Sequence, residues 1–112
     1  MSTVIWLDEA LGDLKAIGAY IAQDDAKAAY NVLIRIKAAA DNLLHHPEIG
    51  RIGRVSGTRE IVVNDLPYIL PYQVTDQNIC ILAVMHTSRK WPETFNRIRQ
   101  VKIKCNYSSH IL

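Results

Sequence analysis

The sequence predicts an α+β domain: an N-terminal strand, an antiparallel helical hairpin, and a small, mainly antiparallel sheet on which the hairpin packs. Three observations carry that expectation. From Leu7 to Leu43 apolar residues recur at three- and four-residue steps, the pattern of amphipathic helices, and Asp24-Asp25 interrupts it once. From Thr58 onward the pattern changes to β-favouring segments of strand length, separated by the turn clusters Asn64-Asp65-Leu66-Pro67 and Thr75-Asp76-Gln77-Asn78. The last of these segments, Ile79 to Met85, is apolar on both faces, as a strand covered on two sides must be.

In chain order, Thr3 to Trp6 is short and β-favouring, and Asp8 behind it is the expected N-cap of a first helix, its carboxylate accepting from the open amides of the first turn. Leu7, Leu11, Leu14, Ile17 or Gly18, and Ile21 make one apolar stripe opposite Glu9, Asp13 and Lys15, which places this helix over residues 8–23. Asp24-Asp25 caps a second, longer helix. Its inward stripe is Ala29, Leu33, Ile36, Ala40 and Leu43, with Lys27, Arg35, Lys37 and Asp41 turned away, and its alanines permit close approach of another backbone. Pro47 restricts the residue before it, so the helix stops near His45 or His46. So short a link between the helices makes the hairpin antiparallel.

Residues 50–54 are too glycine-rich to be placed as a strand. Ser56-Gly57 reads as a turn and Thr58 to Val63 as a strand. Tyr68 to Val74 alternates as a strand does, but Pro71 has no amide to donate and implies either an edge position or a bulge. Ile79 to Met85 completes a meander with these two segments and runs straight into a basic and aromatic cluster. The domain is placed over residues 1–92. Residues 93–112 form a basic extension in which Phe95, Ile98 and Val101 hint at one or two helical turns and the last residues fray.

The 112 residues suffice for one domain that folds without disulfides or metal, and an apolar fraction of 49% with 21% charged residues is that of an ordinary soluble protein. No apolar run reaches the roughly twenty residues of a membrane span, and Met1 to Leu7 carries no basic residue of a secretory leader, so a cytoplasmic location is expected. Cys80 and Cys105 lack ligand spacing and are read as free thiols. The net charge of +2 conceals a division. Residues 1–48 carry four basic and seven acidic side chains, net −3, whereas residues 49–112 carry nine and four, net +5, so the sheet half suits an anionic partner.

His86, Arg89, Lys90 and Trp91 follow the apolar strand directly, and Arg59 and Glu60 lie on a strand expected in the same sheet. Guanidinium groups with one imidazole can stabilise a pentacovalent phosphorane while His86 moves a proton, the minimum for metal-free ribonuclease chemistry. The same residues can equally grip an acidic protein surface without reaction. No glycine-rich phosphate loop, paired catalytic carboxylates or nucleophile elbow is present, and His45-His46 has no third ligand at metal spacing, so no metal or cofactor is expected.

The order of these elements resembles the RelE/ParE superfamily of bacterial type II toxins, in its ParE-like branch. The matching pieces are Trp6 with Asp13-Leu14-Lys15-Ala16-Ile17 and Tyr20-Ile21; His46-Pro47 with Gly50-Arg51; Gly57-Thr58-Arg59-Glu60-Ile61-Val62; Pro67-Tyr68 with Pro71-Tyr72; and Val84-Met85-His86 with Arg89-Lys90-Trp91-Pro92. They span roughly residues 3 to 92. The resemblance implies the RelE/ParE-like fold and a toxin neutralised by a ParD- or RelB-like antitoxin that lays a helix and an extended segment over it.

ParE-like toxins poison DNA gyrase, whereas RelE-like toxins cut messenger RNA on the ribosome with basic residues converging on the sheet. Between Glu60 and Val84 this chain has no lysine, arginine or histidine, which favours the gyrase-directed reading. On that reading Arg59, Tyr72, His86, Arg89, Lys90 and Trp91 form the target surface, and Leu11, Leu14, Leu33 and Ile36 are the apolar anchors for the antitoxin. The alternatives are a ribosome-dependent endoribonuclease, with His86 transferring the proton and Arg59 and Arg89 holding the phosphate, and a non-toxic interaction module on the same fold.

Overall fold

The computed structural model describes residues 3–76, 78–88 and 96–100. Strand β1 (Val4–Trp6) leads into helix α1 (Asp8–Ala22) and, after a short turn, helix α2 (Ala26–Asn42). Then come β2 (Arg51–Ile52), β3 (Arg59–Val62), β4 (Tyr68–Thr75), β5 (Asn78–Ile81) and β6 (Met85–His86). The sheet runs β1-β5-β4-β3-β2, with β6 also on β4. Among the described residues only β1 on β5 is parallel, and the other pairings are antiparallel.

Both helices form where the periodicity places them, but their starts differ. Asp25 caps α2 as expected, accepting from the Ala28 amide at 3.0 Å. Asp8 does not cap α1: it is the first helical residue, Leu7 stands at the cap position, and no side chain bonds the open amides there. Its charge still complements the positive end of the helix. The inward residue of the first turns is Ala10, with no accessible surface, while Leu11 is 42% exposed. The rest of the stripe faces inward as expected: Leu7 and Gly18 are buried and Leu14 and Ile17 pack on the core, so only Leu11 departs from it, with Ala10 in its place. Gly18 allows the helices to meet closely, since a Cβ there would lie 2.9 Å from Leu33 Cδ1.

The hairpin covers one face of the sheet. Ile36 and Ala40 of α2, Leu43 at its C-cap and Ala10 of α1 pack with Leu70, Tyr72, Ile79 and Ile81. On the opposite face Leu7, Val55, Cys80, Leu82, Ala83 and Met85 form a second cluster, completed by Ile98 from a helical turn at residues 96–100. Cys80, expected as a free thiol, is disulfide-bonded. Sequence spacing dismisses a two-cysteine framework but does not say which segments the fold brings together. Cys105 lies outside the described residues, as do Arg89, Lys90, Trp91 and Pro92.

Pro71 resolves in an instructive way. It stands not at an edge but inside β4, the longest strand, between β3 and β5. The bulge is real. Tyr72 pairs with Ile81 and Ile69 with Met85, so three steps along β4 face four along the opposing chain. One extra residue is therefore inserted between β5 and β6, where Pro71 offers a carbonyl, accepting from the Leu82 amide at 2.9 Å, but no donor. A one-residue insertion exchanges the two faces of everything after it. Met85 turns into the second cluster, and His86, opposite Tyr68, turns toward α1.

The segment after α2 also departs from expectation. Arg51–Ile52 is a strand, two residues long and antiparallel to β3, where the glycines on either side obscured any strand pattern. Gly50 sits hard against the sheet: a Cβ there would lie 2.6 Å from Tyr72 Oη and 2.8 Å from the Glu60 carbonyl oxygen.

Candidate functional site

The bulge frees the Val84 amide from the ladder, and Asp13 takes it. Asp13 Oδ2 accepts from Val84 N at 2.9 Å and from Arg97 Nη2 at 2.6 Å, and Arg97 Nη2 also reaches the Glu9 carbonyl oxygen at 3.4 Å. One carboxylate on α1 thus ties the β5–β6 bulge and the 96–100 turn to the hairpin. With its side chain 17% exposed, Asp13 is a substantially desolvated acceptor whose partners compensate its charge.

Beside it opens a cleft of about 280 Å³ lined by Asp13, Ala16, Ile17, Tyr20 and Ile21 of α1 with Tyr68, Val84 and His86. The His86 ring is fixed. Its Nδ1 accepts from the Ser88 amide at 3.1 Å and lies 2.7 Å from Ser88 Oγ, and the ring meets Tyr68 edge-on, centroids 5.6 Å apart at 88°. Because a backbone amide can only donate, Nδ1 bears no proton in this arrangement and the neutral ring carries its hydrogen on Nε2.

Four residues along β4 from Tyr68 lies a second polar assembly. Tyr72, without accessible surface, donates from its hydroxyl to the Pro47 carbonyl at 2.8 Å and accepts from the Gly50 amide at 3.0 Å. Burial pushes its pKa above the ordinary value near 10, opposed by the Gly50 hydrogen bond and the Arg59 charge. Arg59 Nη1 donates to the Gly50 carbonyl at 2.8 Å and the Glu48 carbonyl at 3.3 Å. On the opposite face the buried Glu60 carboxylate accepts from Arg51 at 3.1 and 3.3 Å and from the Arg54 amide at 3.0 Å. These contacts fasten the 47–54 segment to β3 and β4.

The residues singled out from sequence are therefore distributed as follows. Arg59 and His86 do not converge. They pair with Tyr72 and Tyr68 on opposite sides of β4, so they are about 13 Å apart along that strand and two strand spacings across it. Tyr72 is interior and presents no target-facing surface, because its ring fills the helix-covered core. Ile36 is likewise fully buried and offers no anchor to a partner. Leu11, Leu14 and Leu33 line, with Trp6, Lys15 and Lys37, a predominantly apolar groove of about 400 Å³ between the helices and the sheet edge. Arg89, Lys90 and Trp91 lie outside the described residues. Asp13 was the residue missed: on α1 it reads as an outward polar side chain, and nothing local points to partners 71 and 84 residues away.

Comparison with known proteins places this architecture. Residues 4–91 match the family model described as the ParE toxin of the type II toxin–antitoxin system parDE. A protein of Sinorhizobium fredii named as a toxin, Y4kP, is 47% identical over 88 residues, covering 79% of this chain and 91% of the relative. The toxin RelE2 of Caulobacter vibrioides is 40% identical over 89 residues, 80% of this chain and 99% of its own. The fold matches a chain of the chromosomal ParDE toxin–antitoxin system from P. aeruginosa with a TM-score of 0.69 at 25% identity, over 77% of this chain and 96% of that one. The α+β architecture and the sequence together make this chain a member of the ParE toxin family of type II toxin–antitoxin systems.

Proposed function

We propose that this protein is a cytoplasmic toxin that inhibits DNA gyrase by binding it, without catalytic turnover, and that a cognate antitoxin neutralises it. The observation that carries the reading is the separation of Arg59 from His86. Phosphate chemistry requires a cation beside the proton-transfer group. Here the Arg59 guanidinium is spent on the carbonyls of Glu48 and Gly50, four residues along β4 from the imidazole and on the other side of that strand. The cleft that His86 lines has no arginine or lysine among its described lining residues, and Arg97, which reaches the Asp13 carboxylate there, is paired with it.

The antitoxin reading is supported by the groove formed by Trp6, Leu11, Leu14 and Leu33. It is an apolar channel rimmed by Lys15 and Lys37 on a helical hairpin, suited to apolar anchors at helical spacing flanked by acidic residues. The test is supercoiling by purified gyrase with the antitoxin-free protein at stoichiometric excess. Inhibition is expected, and full supercoiling activity contradicts the reading.

The relative named RelE2 keeps a second reading open, a ribosome-dependent endoribonuclease using His86. It requires that His86→Ala abolish toxicity in a folded, antitoxin-binding protein.

A further inference from the structure

The cleft between α1 and His86 is distinct from the apolar groove, since it lies on the flank of α1 turned away from α2. Its chemistry is also different. We infer that it is a socket for one arginine side chain of the target protein, the guanidinium lying against Tyr20 and Tyr68 and reaching Oδ1 of Asp13. This rests on the protein-directed reading above and adds the chemistry of the contact.

Four features of the cleft favour a cation on an aliphatic stem. Among the described residues, both hydrogen bonds that Asp13 accepts fall on Oδ2, which leaves Oδ1 to accept from a ligand. Tyr20 is 75% exposed and Tyr68 stands opposite it in the lining, and the faces of such rings attract cations. Ile17, Tyr20 and Ile21 lie in the second half of α1, toward its carbonyl end, whose last turn contains no basic residue to compensate the dipole. Ala16, Ile17, Ile21 and Val84 give a methylene stem an apolar wall. His86 adds a donor at the rim: with Nδ1 held by Ser88, its Nε2 hydrogen suits a backbone carbonyl of the same partner.

The size of the cleft points the same way. At about 280 Å³ it falls just below the roughly 300–1,000 Å³ typical of pockets for whole small molecules, so one side chain fits better than a nucleotide. The carboxylate also disfavours a phosphate. Arginine is preferred over lysine because a planar fork stacks on a ring and bonds a carboxylate oxygen at once.

The experiment is a titration of the full chain with N-acetylarginine amide, N-acetylglutamate amide or uridine monophosphate, read from the NMR shifts of the Tyr20, Tyr68 and His86 rings. Saturable changes with the arginine derivative alone are expected, with affinity weakened about two- to fivefold in Tyr20→Ala, whose exposed ring can be removed without loss of core packing. Asp13→Asn, which keeps an acceptor for Val84, is expected to weaken it as well. No saturable response, an equal response to the glutamate derivative, or preference for the nucleotide overturns the socket. None of these outcomes touches the gyrase assay, so the two readings fail separately.

Discussion

The Val84 amide donates to Asp13 Oδ2 across 2.9 Å, joining the bulge between β5 and β6 to the first helix. That bond explains how a sheet interrupted by Pro71 keeps its amide satisfied and its last strand in place. Without the bulge His86 would face the second cluster; with it, the imidazole stands beside α1.

Removing the carboxylate tests this directly. Asp13→Ala leaves the Val84 amide and the Arg97 guanidinium without their acceptor, and is expected to destabilise the fold by about 2–3 kcal/mol. Asp13→Asn retains an oxygen for Val84 and is expected to cost less than half of that. Urea unfolding of the three proteins checks both values. Equal stability of Asp13→Ala and the parent would deny Asp13 its place in holding the bulge.

Tyr72 gives a second expectation. Tyr72→Phe keeps the packing but strips the Gly50 amide and the Pro47 carbonyl of their partner, at a cost of about 1–3 kcal/mol. Gly50→Ala forces a methyl group toward Tyr72 Oη and the Glu60 backbone and is expected to be worse. The sign of the pH effect follows from the raised pKa of Tyr72. The folded state holds the phenolic proton more tightly than the unfolded chain, so its contribution is complete below about pH 10 and is lost as pH rises through the folded value. Alkaline unfolding should therefore be less steep in Tyr72→Phe, measured by circular dichroism from pH 8 to 12. Identical curves would contradict this.

What the sequence reveals and what it hides divide by the range of the interaction. The helices, the Asp25 cap and the bulge at Pro71 are local in origin, and each follows from spacing or from one missing donor. The antiparallel position of β3, β4 and β5 follows from short turns. By contrast, Tyr72 carries the same pattern whether it faces solvent or core; its interior position is set by Pro47 and Gly50, 25 and 22 residues earlier. Arg59 reads as a surface cation until the 48–50 carbonyls are seen to occupy it. Ile36 belongs to an apolar stripe, and only the packing of the hairpin decides that it is core and that Leu11 is the exposed member.

That division gives the antitoxin prediction its residues. Leu11→Glu, at a half-exposed position, places a charge in the apolar groove and is expected to weaken antitoxin binding by tenfold or more while leaving the fold intact. Isothermal titration with the cognate antitoxin reads the affinity. An unchanged value in the folded variant would move the antitoxin elsewhere on the surface.

Arg59 supplies a further contrast. If its role is to fasten the 47–50 segment, Arg59→Ala should lower stability by about 1–2 kcal/mol and reduce toxicity only in proportion to the folded fraction. Thermal unfolding and growth inhibition measured on the same variant decide this. Complete loss of toxicity in a fully folded Arg59→Ala protein would return the guanidinium to the target-facing site.

We propose that this toxin acts on gyrase by binding and not on messenger RNA by cleavage. Induced expression of the chain alone in a bacterial host, with DNA breakage and transcript integrity sampled from one culture, tests it most directly. Broken DNA with intact transcripts is the predicted result. Cleaved transcripts with intact DNA would contradict it and make His86 the residue to pursue.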